Sequence, residues 1–154
     1  MKYRLRCNYT TDAEEALIDI LKDRGVKNVH EFMNPSKSCE LNPYDLDNID
    51  KAAEQYLYHL RKDSNILFIV DCDCDGFTSS SILWLYTKHI FPEAKLEFTV
   101  HTHKQHGLDD KIDWIEDESK WDLVMVPDAG SYDVNEHFKL GQLGMDCIVL
   151  DHHM

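Results

Sequence analysis

The residues best equipped for chemistry lie at 71–75, 128 and 151–153. Asp71-Cys72-Asp73-Cys74-Asp75-Gly76 sets three carboxylates two positions apart, directly after the apolar run Ile66-Leu67-Phe68-Ile69-Val70. Asp128-Ala129-Gly130 follows a second apolar run, Leu123-Val124-Met125-Val126, and Asp151-His152-His153 follows a third, Cys147-Ile148-Val149-Leu150. Carboxylates packed this closely repel one another, and burial makes ionising them costlier still. A divalent cation resolves that conflict. Oxygen donors joined by imidazole suit manganese, with magnesium as the alternative, better than zinc. Two such ions would bridge a phosphate oxygen and supply a nucleophile for in-line attack.

Any one of these clusters could be a solvated acidic turn. Three of them at the ends of three apolar runs are hard to explain as packing, because ionised carboxylates are rarely buried unpaired. A zinc site from Cys72, Cys74, Cys147 and His152 is the competing arrangement, but Cys-x-Cys alternating with acids is poor zinc-finger spacing.

The elements that must position these groups follow from the pattern. The apolar runs are short and rich in β-branched residues, so they read as buried strands over 66–71, 123–126 and 147–150. Leu96–Val100 alternates as a further strand and delivers His101, His103 and His106 into a loop. Helices are expected over 78–90, 109–118 and 133–143. Thr78 and Ser79–Ser81 would then open a helix, where free N–H groups and the helix dipole can hold a phosphate oxygen; simple N-capping is the plainer role. Right-handed crossovers put parallel strand ends on one sheet edge, so groups separated by more than 80 positions converge. Open α/β sheets place their ligand sites at that edge.

In front of this unit, Thr11-Asp12-Ala13-Glu14 has capping-box form with Thr11 as N-cap, and Gly25 ends the helix it starts. A short helix at Val29–Met33 and an amphipathic one over 47–62 follow. The expected fold is α/β: a mostly parallel sheet with helices on both faces over 65–154, preceded by a small helical section over 1–64.

The chain has 154 residues, with 29 acids against 16 Lys and Arg and a formal charge of -13. That argues against an extended nucleic-acid-gripping surface on this chain, since such surfaces are normally basic. Five cysteines in no framework spacing, no secretory signal and no membrane-length apolar run give a reduced, cytoplasmic reading.

Asp71-Cys72-Asp73-Cys74-Asp75-Gly76, Asp128-Ala129-Gly130 and Asp151-His152-His153 resemble, in order, the first three motifs of the DHH phosphoesterase superfamily. Within it the likeness is to the RecJ-like single-strand-specific 5′→3′ exonucleases. It extends to Arg24-Gly25-Val26, Phe32-Met33-Asn34-Pro35 and His106-Gly107-Leu108, and so covers nearly the whole chain. The resemblance implies that Asp73 and Asp75 each ligate a metal, that Asp128 bridges two, that His152 is a ligand and that His153 touches the substrate phosphate. Asp71 would stand nearby, and Asp151 would orient the site, as carboxylates partnering ligand histidines do. From its own residues, the loop that carries His106 reads as a polar loop first and a phosphate-contacting one second. Two manganese or magnesium ions, a single-stranded DNA or short oligonucleotide substrate, and a place in DNA repair or recombination are further implications.

There are two departures. Ile69 stands where many relatives have a histidine that completes one metal site, and the fourth motif, a later aspartate, lies beyond residue 154. The expectation is a portion of a longer nuclease-like protein, with its C-terminal remainder as partner and an exposed sheet edge; a naturally short phage or remnant protein is the alternative. Alone it should bind metal weakly and cleave slowly or not at all. The alternatives are a hydrolase of oligonucleotides, cyclic dinucleotides or pyrophosphate, and a catalytically incomplete scaffold.

Overall fold

The computed structural model describes residues 10–101, 106–108, 110–118 and 120–153. The chain divides after Asp47 into two compact units. The first carries α1 (Ala13–Asp23) and α2 (Val29–Met33). Asp12, not Thr11, is the N-cap of α1: its carboxylate accepts from the N–H groups of Glu14 and Glu15, both at 2.9 Å. A side chain one residue closer to the first turn wins that role. Gly25 takes the left-handed conformation expected of it, with φ 88°.

The second unit contains α3 (Ile49–Arg61), β1 (Asn65–Val70), α4 (Cys74–Ile90), β2 (Lys95–Val100), α5 (Ile112–Glu118), β3 (Leu123–Pro127), α6 (Val134–Gln142) and β4 (Asp146–Leu150). The sequence reading grouped α3 with the front section. In the structure Ala52, Tyr56 and Leu60 of this helix pack into the core beneath the sheet, so it belongs with the second unit.

The four strands form one parallel sheet in the order β2-β1-β3-β4. Alternation along β1 divides the core into two layers. Leu67 and Ile69 face Ile112, Ile115 and Leu140 of α5 and α6. Ile66, Phe68 and Val70 face Leu60 of α3 and Leu83 and Trp84 of α4. Both faces are therefore covered, and β1 and β3 read as continuous apolar runs because they are buried on both sides. Every strand points its C-terminal end the same way, which is what brings residues 71, 128 and 151 to one edge. No described helix is long and apolar enough to cross a membrane.

Candidate metal centre

β1 runs out at Val70, and Asp71 follows with 1% exposure. Its Oδ1 accepts from the Cys72 N–H at 2.8 Å, and its Oδ2 from His106 Nδ1 at 2.6 Å. The chain then turns directly into α4. Asp73 is the N-cap, accepting from the Gly76 N–H at 3.1 Å, and that hydrogen bond lowers its pKa from the ordinary carboxylate value. Asp75 lies in the first turn with its carboxylate largely exposed, Oδ2 at 3.5 Å from His152 Nε2.

The helix thus starts four residues earlier than the sequence suggested. Ser79–Ser81 lie beyond its first turn. The Thr78 hydroxyl donates to the carbonyls of Cys74 and Asp75, and that of Ser79 to the carbonyl of Gly76. These hydroxyls are turned back onto the helix, and the first-turn N–H groups belong to residues 74–76. An aspartate N-cap at 73 displaced the expected Ser/Thr start.

Asp128 follows β3 in the left-handed region, φ 76°, and is 5% exposed. Its Oδ1 is 2.9 Å from His152 Nε2, whereas its Oδ2 is buried with no hydrogen-bond partner among the described residues. Burial first, then the charges of Asp75 and Asp73, push its pKa up.

After β4, Asp151 is bound on both oxygens. Oδ2 accepts from the Ser131 N–H at 2.9 Å; Oδ1 accepts from the N–H of His153 at 2.9 Å and from its Nδ1 at 2.7 Å. Burial opposes ionisation of Asp151, but these hydrogen bonds prevail and hold the carboxyl well below the usual range. The same partner raises the pKa of His153.

The outcome is two overlapping sets of donors. One ligand atom each from Asp71, Asp73 and Asp128 lie within 4.8 Å of one another, as do those from Asp128, His152 and His153. Asp128 belongs to both. Asp75 contacts the cluster through His152 rather than joining either set. Asp151 meets the cluster through His153. None of the metal-capable groups among the described residues contains a cysteine. Cys147 lies within β4, and burial pushes its thiol up to about 12, which disfavours the thiolate that a zinc site needs.

The donor set fits a hard divalent cation: oxygen and imidazole nitrogen only, one buried carboxylate oxygen without a partner, and carboxylates crowded enough to disturb one another's ionisation. Two supports escaped the sequence reading. Asp133 looked like an ordinary start for α6, yet it makes no cap hydrogen bond and instead accepts from the Leu108 N–H at 2.6 Å. His101 at the end of β2 is buried, 2.8 Å from Asp110. Both fasten the segment that carries His106. Their partners are 25 and nine positions away, too irregular for any spacing rule to reveal. His103 lies outside the described residues.

Residues 65–154 match the DHH family, N-terminal domain, and the chain belongs to that family. It is 41% identical over 155 residues to YorK of the SPbeta prophage in Bacillus subtilis (strain 168), a protein named as a single-strand DNA-specific exonuclease. That alignment takes in 99% of this chain and 26% of YorK, so the chain spans about a quarter of that relative's length. It is 21% identical over 122 residues to the single-stranded-DNA-specific exonuclease RecJ of the same bacterium, 79% of this chain and 16% of RecJ. Its fold is that of exonuclease RecJ solved with manganese: TM-score 0.63, 24% identity, 75% of this chain and 30% of that one. RecJ of Thermus thermophilus in complex with Mn2+ gives a TM-score of 0.61 at 23% identity, over 87% of this chain and 18% of that one.

Proposed function

We propose that Asp73, Asp75, Asp128 and His152 hold divalent ions, manganese or magnesium, and that the centre belongs to a phosphodiesterase acting on single-stranded DNA. The observation that carries this reading is the position of Asp128 in both donor sets, which suits a carboxylate shared between two ions. Asp71, in one of those sets, is a further candidate ligand. Ions held there would screen phosphate charge and make a water more acidic.

The chain's own residues do the rest. Asp151 fixes the tautomer of His153 by accepting from its Nδ1, which leaves Nε2 to face the cluster. The raised pKa of His153 favours the imidazolium, a donor to a phosphate oxygen. Asp71 holds His106, whose ring lies 6.3 Å from that of His153 between centroids. With a formal charge of -13, this chain is a poor strand-gripping surface, and in this reading that task falls to polypeptide of the kind that makes YorK longer. A part in DNA repair or recombination in the cytoplasm is the corresponding biological setting.

Calorimetric titration of manganese into the chain tests the centre, with Asp128→Ala as control. Saturable binding that the variant loses supports it. No binding by a folded wild-type chain overturns it. In a protein of YorK length, Asp75→Ala and Asp128→Ala should each abolish release of nucleotides from single-stranded DNA, and survival of that activity overturns the assignment.

A further inference from the structure

A cavity of about 300 Å³ opens beside the cluster, with His106, Ser131, Tyr132, Asp133, Asp151 and His153 in its wall. It shares His153 with the donor set around Asp128, so whatever enters it sits next to the centre. Its chemistry differs from that of the centre. Tyr132 presents a ring that is 74% exposed, and the imidazoles of His106 and His153, 6.3 Å apart between centroids, form the side toward the cluster. Gly130 is also in the lining; its φ is 96°, and a β-carbon there would press on Val126 Cγ1 at 3.2 Å, so it resists a side chain.

The two acids in the wall decide what the cavity takes. Asp151 is held by Ser131 and His153, and Asp133 by the Leu108 N–H. Neither is neutralised by a Lys or Arg in the lining. A second phosphate would find no Lys or Arg there, and the imidazole of His153 is already paired with Asp151. A flat, neutral, hydrogen-bonding ring would meet an aromatic face and carboxylate acceptors.

We propose that this cavity is the nucleoside subsite, with Tyr132 as the ring on which the base next to the scissile phosphate stacks. The inference rests on the phosphodiesterase reading and adds to it the side of the centre on which the base lies. Stacking on one tyrosine is tolerant of base identity, since every base has a π face. The subsite therefore selects for the presence of a base and not for its sequence.

Deoxynucleoside monophosphates test this, because they cannot be cleaved as diesters. The affinities of dTMP, dAMP and deoxyribose 5-phosphate are measured by calorimetry with manganese present, for the wild type, Tyr132→Ala and Tyr132→Phe. Both nucleotides should bind more tightly than the sugar phosphate, by about 5- to 150-fold, the range one stacked base provides. Tyr132→Ala should remove that difference and Tyr132→Phe should keep it, with manganese affinity unchanged in both. Nucleotides bound equally by wild type and Tyr132→Ala, or sugar phosphate bound as tightly as dTMP, overturn the subsite alone. Manganese binding with no phosphate compound bound overturns the phosphodiesterase reading, and the subsite with it.

Discussion

Gly76 lies hard against Asp71: a β-carbon at 76 would stand 2.6 Å from Cβ of Asp71 and 2.8 Å from its carbonyl oxygen. The turn from β1 into α4 is so tight that the first helical residues fold over the end of the strand. Two effects of Gly76→Ala oppose each other. Alanine in a helix gains about 1 kcal/mol over glycine from propensity. Forcing a methyl into packed backbone costs about 1–3 kcal/mol and shifts what it touches. The contacts involve main chain, which cannot move aside as a flexible side chain would, so the clash should prevail. Gly76→Ala should lower the denaturant midpoint and weaken manganese binding, since both Asp71 and Asp73 are displaced. A more stable variant with intact metal affinity would show that the turn relaxes freely.

Asp128 sets stability against function. Burial raises its pKa, so without metal its ionisation is a cost to the fold. For an acid whose folded pKa lies above its unfolded value, that cost is absent at low pH. It appears as pH rises through the unfolded pKa and is complete above the folded one. Asp128→Asn should therefore melt at the same temperature as the wild type or higher near neutral pH in chelator. Added manganese should reverse the order. Ligand at a hundred times its dissociation constant stabilises the wild type by about 2.7 kcal/mol, and the variant should gain nothing. Thermal melts with and without metal provide the comparison.

Much of this was legible in the sequence because burial on both faces writes β1 and β3 as short apolar runs, and the edge strand β4 keeps a shorter one around Ile148, each ending in acids or histidines. The parallel sheet, the helices on both faces and the convergence of three strand ends all follow from those runs. Family resemblance, not spacing, supplied the nuclease reading. The sequence was less informative where a side chain serves a partner outside its own element. Asp73 as N-cap moved the start of α4, so Ser79 and Ser81, expected at the helix entrance, donate back to carbonyls of the helix. Asp133 and Asp110 carry no periodic signal, because what they bind is a loop.

That loop should depend on Asp133 more than on its own sequence. Gly107, with φ 70°, packs against Gly130, and a β-carbon there would collide with the Asp133 carboxylate. That carboxylate accepts from the N–H of Leu108, whose side chain is fully buried. Asp133→Ala leaves the N–H without its acceptor, at a cost of about 1–3 kcal/mol. It also frees the segment that sets His106 on Asp71. Hydrogen exchange should show faster exchange at Leu108 in the variant. Unchanged protection would mean that the His101–Asp110 contact holds the segment by itself.

At the opposite, N-terminal edge of the sheet, His59 ties α3 to both neighbouring strand starts, with Nδ1 at 3.0 Å from Ser64 Oγ and Nε2 at 2.8 Å from Asp146 Oδ2. His59 is first among the groups that hold the Asp146 carboxyl below its usual range. A depressed carboxylate contributes stability that is fully present above its unfolded pKa, near 4, and is lost as pH falls through the folded value. The Asp146 side chain is half exposed, so solvent screening keeps that contribution under about 1 kcal/mol. Asp146→Asn should therefore lose that small contribution at neutral pH, match the wild type at the acid end, and so flatten the acid limb of the stability profile slightly. His59→Ala is a different matter. The ring is buried, and its removal leaves a cavity and deprives the buried Ser64 hydroxyl of its partner. That should cost about 2–4 kcal/mol at every pH where the chain folds. Urea unfolding from acidic to neutral pH separates the two effects: Asp146→Asn changes only the slope with pH, whereas His59→Ala loses that slope and lowers the whole curve.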